Sequence, residues 1–530
     1  MKSLPDLNRL VLPPEQREAF LAAVRPLLPP EQFEFIQAMV EAFPQIKQLL
    51  EGKNLSIARL RQVLFGAATE KTATVCPPAP SASNPKGQGK RRGHGRRPAR
   101  AYTGARRQTV RHPRLRPGDQ CPECGKGRLR RQPQPAPVVR VEAQPPFPAT
   151  VFEKEVLRCN LCGKTFTAPT PPEAGESKYA PEVGVLVSLL RYGSGMPHYR
   201  LEKLQASLGV PLPAATQWER VAEVARLVQP VGDHLKWLAA QAPGVHNDDT
   251  PMRVGQLRQQ IQSETAPERT GIFTTGILAS LSEHPIALFF TGRQHAGENL
   301  EDILSQRAEG LPPPWQMADG LSRNRPKSAP TLEGCCLSHG RRGLVQVADD
   351  FPEEVRRGLE SVRAIYRFEA LAKQQRLDPV ARLRFHQTHS QPLMEALKAW
   401  LDEQIEGHRV EPNSTLGEAI GFMRRHWGPL TLFLREPGAP LDNNLCEQIL
   451  KMAILHRKNS LSFKTQHGAQ VGDLFMSLIQ TCRLNRVNPW DYLMALVRHP
   501  DQVRANPEQW LPWNYQDALE SAKAPASTND

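Results

Sequence analysis

Long apolar runs are the first thing this 530-residue chain lacks. No segment reaches the roughly 18 uncharged apolar residues that a membrane-crossing helix requires, so no membrane partner is expected. The opening stretch MKSLPDLNRLVLPP carries one lysine and no apolar run ahead of its prolines, and it does not read as a secretory signal. Cysteine is scarce as well. Nine in a chain of this length do not suggest a disulfide scaffold, and a reducing cytoplasm is the expected compartment. Acidic residues are absent from one whole segment, 86–116, which holds twelve Lys and Arg. The net charge is +14, so the rest of the chain is left at +2. A basic block of this kind is usually disordered when free and often binds a polyanion. The alternative, a solvated linker that only aids solubility, is the weaker reading because the charge is so localised.

What is present is a globular composition, 39% apolar and 23% charged, in a chain too long for one core. Residues 1–70 carry apolar positions at three- and four-residue spacing and read as helices broken by Pro29, Pro30 and Pro44. They suit self-association, DNA binding or a packed helical cap. Residues 71–118, rich in Pro, Ser, Gly and Arg, cannot bury a core and read as a linker. From about 180 to 240 the spacing is helical again, with Gly209 as a C-cap and Thr216 as an N-cap. After Pro243 the period changes to that of short strands: GVHNDDTPMRV, TGIFTTGILASLS, PIALFFTG and PWQMADG. A helical piece, AGENLEDILSQRAEG, precedes the last of these. Such an order predicts a mixed sheet in an α/β domain. Residues from about 345 to 436 are helical, and GAQVGDLFMSLIQTCRLN predicts one more helix of the α/β domain. Trp427, Trp490, Trp510 and Trp513 read as core or interface residues.

Two CxxC knuckles, Cys121/Cys124 and Cys159/Cys162, are separated by 34 residues, and each is followed by glycine. Four thiolates match tetrahedral structural zinc, and the glycines permit the tight turn that aims N–H groups at sulfur. The short alternating segments between the knuckles suggest a zinc ribbon, too small to fold without its metal. Its position beside the basic block favours DNA contact.

Three acids fall on different predicted elements. Asp248 ends the first strand, Asp319 ends the fourth, and Glu447 lies on a late helix, at separations of 71 and 128 residues. Converging carboxylates are what Mg²⁺ needs, because it is hard and keeps water and phosphate in its shell. Two such ions can serve the attacking and leaving oxygens of a phosphodiester. Each acid also has a plain structural reading. Asp248 and Asp319 could be turn residues, and Asn444 with Glu447 resembles a capping box. If Asp442 or Asn443 starts the late helix, then Asn443, Asn444, Glu447 and Lys451 share one face, and Leu445, Ile449 and Met452 share another that anchors it. Lys451, Arg457 and Lys458 would then lie along a DNA phosphate path. Cys336 and His339 read as a buried cysteine and a hydrogen-bonded histidine rather than as ligands. Arg341 and Arg342, at a helix start, are candidate phosphate contacts.

The pieces ARLRQVLFGAATEK, the basic linker, the paired knuckles, VHNDDTPMRV, ALFFTGRQHAGENLEDIL, MADG, CLSHGRR, LDNNLCEQILKMAILHRKNSL and SLIQTCRLNRVNPWDYL run nearly end to end. In these the chain resembles the transposases of the insertion-sequence sixty-six family, the large TnpC-type protein. The motif DNNxxE followed by RKN is the most specific of them. The resemblance implies a DDE transposase with a ribonuclease H-like core, its acids falling on Asp248, Asp319 and Glu447. It departs from the family where DET reads Asp248-Asp249-Thr250, and where tyrosines after the second Asp are replaced by DGLSRN.

The expected fold is therefore multidomain α+β. Its parts are N-terminal helices (1–70), a basic linker (71–118), a zinc-ribbon module (119–170), a helical DNA-binding region (171–242), a ribonuclease H-like core (243–345 and 437–500) interrupted by a helical insertion (346–436), and a tail (501–530). The expected activity is Mg²⁺-dependent cleavage and strand transfer, with two catalytic ions on Asp248, Asp319 and Glu447 and one structural Zn²⁺ on Cys121, Cys124, Cys159 and Cys162. DNA at the element ends and at the target would be met by Arg91, Arg92, Arg96, Arg97, Arg341, Arg342, Lys451, Arg457 and Lys458. A homodimer or larger assembly, accessory proteins of the same element and a nucleoid-associated bacterial location follow from the resemblance. The rivals are a non-catalytic DNA-binding protein on the same fold and a ribonuclease H-like nuclease.

Overall fold

The structure, a computed structural model, describes residues 107–132, 138–139, 146–162, 164–281 and 283–523, with residue 136, parts of 20–40 and 99–101. Its contacts divide the chain into two units, residues 1–79 with 344–363 and residues 80–343 with 364–530. The described part of the first unit is helical, including a 3₁₀ turn at Arg25–Leu27. Most of the expected N-terminal region and linker lies outside the described residues, and so do Arg91, Arg92, Arg96 and Arg97.

The second unit begins with a short antiparallel pair, β1 (Val156–Arg158) and β2 (Thr165–Thr167). Three helices follow: α1 (Pro181–Ser188), α2 (His198–Ser207) and α3 (Ala214–Gln241). Gly209 ends α2 at φ +76°. Its N–H reaches Ala206 O while that of Val210 reaches Gln205 O, the paired bonds of a Schellman cap that favours glycine. In α3 the buried positions Gln217, Val221, Val224, Ala225, Val228, Val231, Leu235 and Ala239 recur every three or four residues, giving one continuous stripe for the core. Pro213 and not Thr216 precedes this helix, and no side chain caps it.

The sheet is built from β3 (Gly244–Pro251), β4 (Phe273–Leu281), β5 (His284–Gly292), β6 (Trp315–Ala318) and β7 (Leu332–Cys335), in the order β5-β4-β3-β6-β7. Strand β4 runs antiparallel to both of its neighbours, β3 and β5, while β6 and β7 run parallel to β3 and to each other. Helix α4 (Gly255–Ser263) follows β3, and α5 (Ala296–Leu304) follows β5. Strand β4 is buried on both faces, which is why it reads as a nearly unbroken apolar run. The expected four strands and intervening helix form, but β7 and α4 are additional. Strand β7 is only four residues long and interrupted by Gly334, too short to show a period.

Helix α6 (Leu337–Gln346) begins ahead of the stretch expected to be helical, and α7 (Pro352–Gln374), α8 (Pro379–His389), α9 (Gln391–Glu406) and α10 (Thr415–Arg425) lie within it. They are followed by α11 (Asn444–Ser460), α12 (Gln466–Leu484), α13 (Pro489–Arg498), α14 (Pro500–Ala505) and α15 (Tyr515–Lys523). Asp378, Ser414, Thr465 and Asn488 each cap the helix they precede through a side-chain oxygen, satisfying N–H groups that the first turn leaves unpaired.

Helix α12 closes the open edge of the sheet. Asp473, Ser477 and Thr481 lie four residues apart and accept the N–H groups of Thr291, Phe289 and Ala287 at 2.6, 3.0 and 3.1 Å. Four helical residues rise about 6 Å and two strand residues about 6.6 Å, so the two repeats match over this distance and an otherwise exposed edge is covered. Residues 501–523 are not a free tail: Val503, Trp510, Leu511 and Tyr515 join the main core, and Trp510 O accepts Tyr492 Oη–H at 2.7 Å.

Candidate active site

Strand register places the first two acids. In the parallel pair β3–β6, Gly244 lies beside Trp315 and His246 beside Met317. Two residues further along each strand are Asp248 and Asp319. Side chains alternate with period two, so both point to one face, on neighbouring strands about 4.8 Å apart. Asp248 is not a turn residue, since it sits inside β3 opposite Gly276 of β4. Asp319 follows β6 and is also a turn residue: its Oδ1 accepts the Leu321 N–H at 2.9 Å and Asn324 Nδ2 at 2.8 Å, with Gly320 at φ +92°.

The third acid arrives on α11, which lies across the same face. A Cβ on Gly276 would stand 2.9 Å from Leu450 Cδ2, so the bare backbone there is what admits the helix. Cys446 Sγ–H donates to Gly276 O at 3.3 Å. Asn443 fixes the start of the helix: its Nδ2 donates to Asn247 O at 3.1 Å, and its Oδ1 meets His246 Nδ1 at 3.0 Å. Asn444 is inside the helix and Asn443 is its N-cap residue, with no side-chain cap bond, so the capping-box reading of Glu447 does not hold. Asp442 accepts Tyr366 Oη–H at 2.9 Å.

Burial first, then Asp319, Asp249 and Glu447 as neighbouring negative charges, push the Asp248 carboxyl up to about 7; the Asp249 N–H, at 2.8 Å from Asp248 Oδ1, opposes them. Burial with the charges of Asp248 and Glu447 likewise raises the Cys446 thiol. Glu447 Oε1 is shut from solvent without a hydrogen-bond partner. Like charges held together with an unsatisfied lone pair are what a divalent cation relieves, and an all-carboxylate set suits a hard one.

Asp249 points to the opposite face, where its fully buried side chain pairs with His295 Nδ1 at 3.1 Å and Arg323 Nη2 at 3.2 Å. Behind Asp319, Asn324 O accepts Asn247 Nδ2 and Gln316 Nε2, each at 2.7 Å. Sequence reasoning passed over His246, Asn247 and Gln316, and took Asn443 only as a helix start and a member of the polar face. The available signal was polar residues inside otherwise apolar strands, which demand partners when buried.

The expected anchoring face of α11 needs correction. Ile449 and Met452 are buried as expected, together with Cys446, Leu450 and Ala453, but Leu445 is 51% exposed. Of the expected DNA contacts, Lys451 and Lys458 are exposed. Arg457 is half-buried, with Nη1 donating to Thr250 Oγ1 at 3.2 Å and to Pro251 O. Arg341 is buried and Arg342 half-buried, and both are engaged in contacts. His339 was expected to be hydrogen-bonded; its Nδ1 has no partner and faces Glu447 Oε1 at 3.8 Å. Cys336, His339 and Glu447 offer ligand atoms all within 4.8 Å of one another.

The knuckles form individually. Cys121 N–H donates to Gly127 O at 2.7 Å, Gly125 N–H to Cys121 O at 2.9 Å, and Gly125 is at φ +63°. The N–H groups of Gly127 and Lys126, with Cys121, lower the Cys124 thiol. Cys159 and Cys162 lie in the β1–β2 turn, where Cys159 N–H reaches Lys164 O at 2.9 Å; Gly163 lies outside the described residues. No three of the four sulfurs approach within 4.8 Å of one another. Among the described residues no helix is long and apolar enough to cross a membrane.

The mixed sheet thus carries one acid inside β3, Asp248, and one just past the end of the neighbouring parallel strand β6, Asp319. The profile described as Transposase IS66 family matches residues 177–471, more than half of the chain and a span within which Asp248, Asp319 and Glu447 lie. The chain belongs to the IS66 transposase family. It is 24% identical over 422 residues to the uncharacterized protein y4hP of Sinorhizobium fredii, covering 76% of this chain and 75% of that one. A second uncharacterized protein of that organism, y4jD, is 26% identical over 405 residues, covering 71% and 75%.

Proposed function

We propose that the protein is a metal-dependent DNA transposase that cuts the ends of its element and joins them to target DNA. The observation that carries this reading is the side-by-side register of Asp248 and Asp319 with α11 seated over Gly276, so that Glu447 adds its charge to theirs. Asp248, Asp319 and Glu447 would hold two Mg²⁺ ions. When bound, such ions polarise the phosphodiester and activate the attacking oxygen. The protein's own residues do the positioning. Asn324 and the Leu321 N–H fix one oxygen of Asp319, and the Asp249 N–H fixes one oxygen of Asp248. Asn443 sets the depth of the helix that carries Glu447. Water would cleave one strand at each end, and the released 3′-hydroxyl would attack target DNA in a second in-line displacement at the same site.

The sheet, in the order β5-β4-β3-β6-β7 with β4 alone running against the other four strands, supports a ribonuclease H-like core, and α7 to α10 would be the insertion within it. Lys451 and Lys458, exposed on the acid-bearing helix, would meet phosphate, as would the basic segment. The formed knuckles support a structural Zn²⁺ on Cys121, Cys124, Cys159 and Cys162, and loading it would have to bring the two turns together. Glu447→Gln tests the chemistry. Mg²⁺-dependent cleavage at the element ends is expected to disappear while end binding persists; undiminished cleavage would remove Glu447 from the mechanism. Joined plasmid products distinguish transposition from simple hydrolysis by a nuclease.

A further inference from the structure

We propose that His339 is a positioning residue for Glu447, its ring Nδ1–H holding carboxylate oxygen Oε1 so that the other oxygen is offered to a divalent cation in one fixed direction. This rests on the reading of Glu447 as a metal ligand. The two atoms face each other at 3.8 Å. Both are shut from solvent and neither has a hydrogen-bond partner, although the side chains themselves are 26% and 31% exposed. Buried polar atoms are nearly always paired, and a closer approach of about 0.8 Å would make this contact an ordinary hydrogen bond.

The backbone around the pair fixes its geometry. Leu337, the first residue of α6, donates its N–H to Leu441 O at 3.0 Å, and Asn443, at the mouth of α11, donates its N–H to Cys336 Sγ at 3.2 Å. The starts of the two helices are thus tied to each other by bonds that involve neither reacting side chain. His339 sits in the first turn of α6, with its N–H on Cys336 O at 3.1 Å, and Glu447 sits in the first turns of α11. Cys336 Sγ is within reach of both, but that sulfur is fully buried and already accepts the Asn443 N–H. The arrangement therefore favours a histidine acting through the carboxylate over a Cys–His–Glu ligand set. A carboxylate with one oxygen held is a one-oxygen ligand of defined direction, and partners of this kind commonly change metal affinity about 10–100-fold.

The test uses the full-length protein and Mn²⁺, with binding followed by loss of the free-ion paramagnetic resonance signal. His339→Asn places an amide nitrogen where Nδ1 stands, and His339→Gln carries it towards the Nε2 position. His339→Gln is expected to weaken Mn²⁺ binding by about 10-fold or more, and His339→Asn by less than about threefold. Equal weakening in both variants would mean a packing role, and wild-type binding in both would mean no role; either overturns the proposal. Glu447→Gln separates the two levels. If it weakens binding while His339→Gln does not, only the positioning role fails, whereas unchanged binding in Glu447→Gln removes the acid site itself. Zinc co-purifying with the protein and lost in both His339→Gln and Cys336→Ser would make His339 a ligand, which also overturns the proposal.

Discussion

Two aspartates in this protein share one feature and differ in everything that surrounds it. Asp473 on α12 and Asp248 on β3 are both pushed up to about 7, burial being the largest cause in each. Asp473 is satisfied: Thr291 donates its N–H at 2.6 Å and its hydroxyl at 2.7 Å, and both bonds oppose the shift. Asp248 has three acids as neighbours and one N–H to oppose them. The first carboxylate closes a sheet edge. The second belongs to a group of charges that the protein alone leaves unbalanced. A raised carboxyl therefore does not mark a site by itself; what marks it is like charge gathered around it and oxygens left without donors.

The sharpest way to break this contrast is to neutralise each acid in turn. Asp248→Asn is expected to lower Mg²⁺-dependent end cleavage by more than about 100-fold, and Asp473→Asn, assayed well below its melting point, by less than about threefold. Comparable losses would erase the distinction. The next largest effect reverses the order. Asp473→Ala strands the Thr291 N–H and should destabilise the fold by about 2–4 kcal/mol, whereas Asp248→Ala in metal-free protein should be neutral or stabilising because it relieves repulsion. Chemical denaturation of the two variants reads this directly.

Gly276→Ala probes how closely α11 must sit. Its new methyl must displace Leu450, at a cost of about 1–3 kcal/mol, and Mn²⁺ binding should weaken along with stability because Glu447 is carried away. Ser477→Ala, which removes one rung of the edge ladder, should cost about 1 kcal/mol without affecting Mn²⁺.

The smallest effect is in pH. Both aspartates bind a proton more tightly folded than unfolded, so the folded state holds more protons between their ordinary value of 3.8 and about 7. Stability present below this window is lost as pH rises through it. At pH 8, Mg²⁺ should recover the Asp248 share of that loss and none of the Asp473 share. Melting curves across pH, with and without Mg²⁺, should therefore show a magnesium response in wild type and Asp473→Asn that is reduced in Asp248→Asn.

Much of this was legible along the chain. Strands β3 to β6 and most of the helices in the second unit could be read from local pattern, and the DNNxxE stretch announced the helix that bears Glu447. Asn443 is a different case. Its type suggested a helix start, but its role is to bind His246 and Asn247, 197 and 196 residues away. The outward turn of Leu445 and the engagement of Arg457 by Thr250 depend equally on how α11 lies on the sheet, which no local pattern encodes.

The sequence by itself determined the element types, the punctuation between them, the separation of basic from neutral segments and the three acids as residues of interest, because these depend on spacing, capping and composition over a few turns. The tertiary structure alone decided that Asp248 and Asp319 stand side by side, that Gly276 admits α11, and that His339 faces Glu447. Those relations join residues 71 to 174 positions apart. They are fixed by strand register and close packing, which act between elements and leave no trace within any one of them.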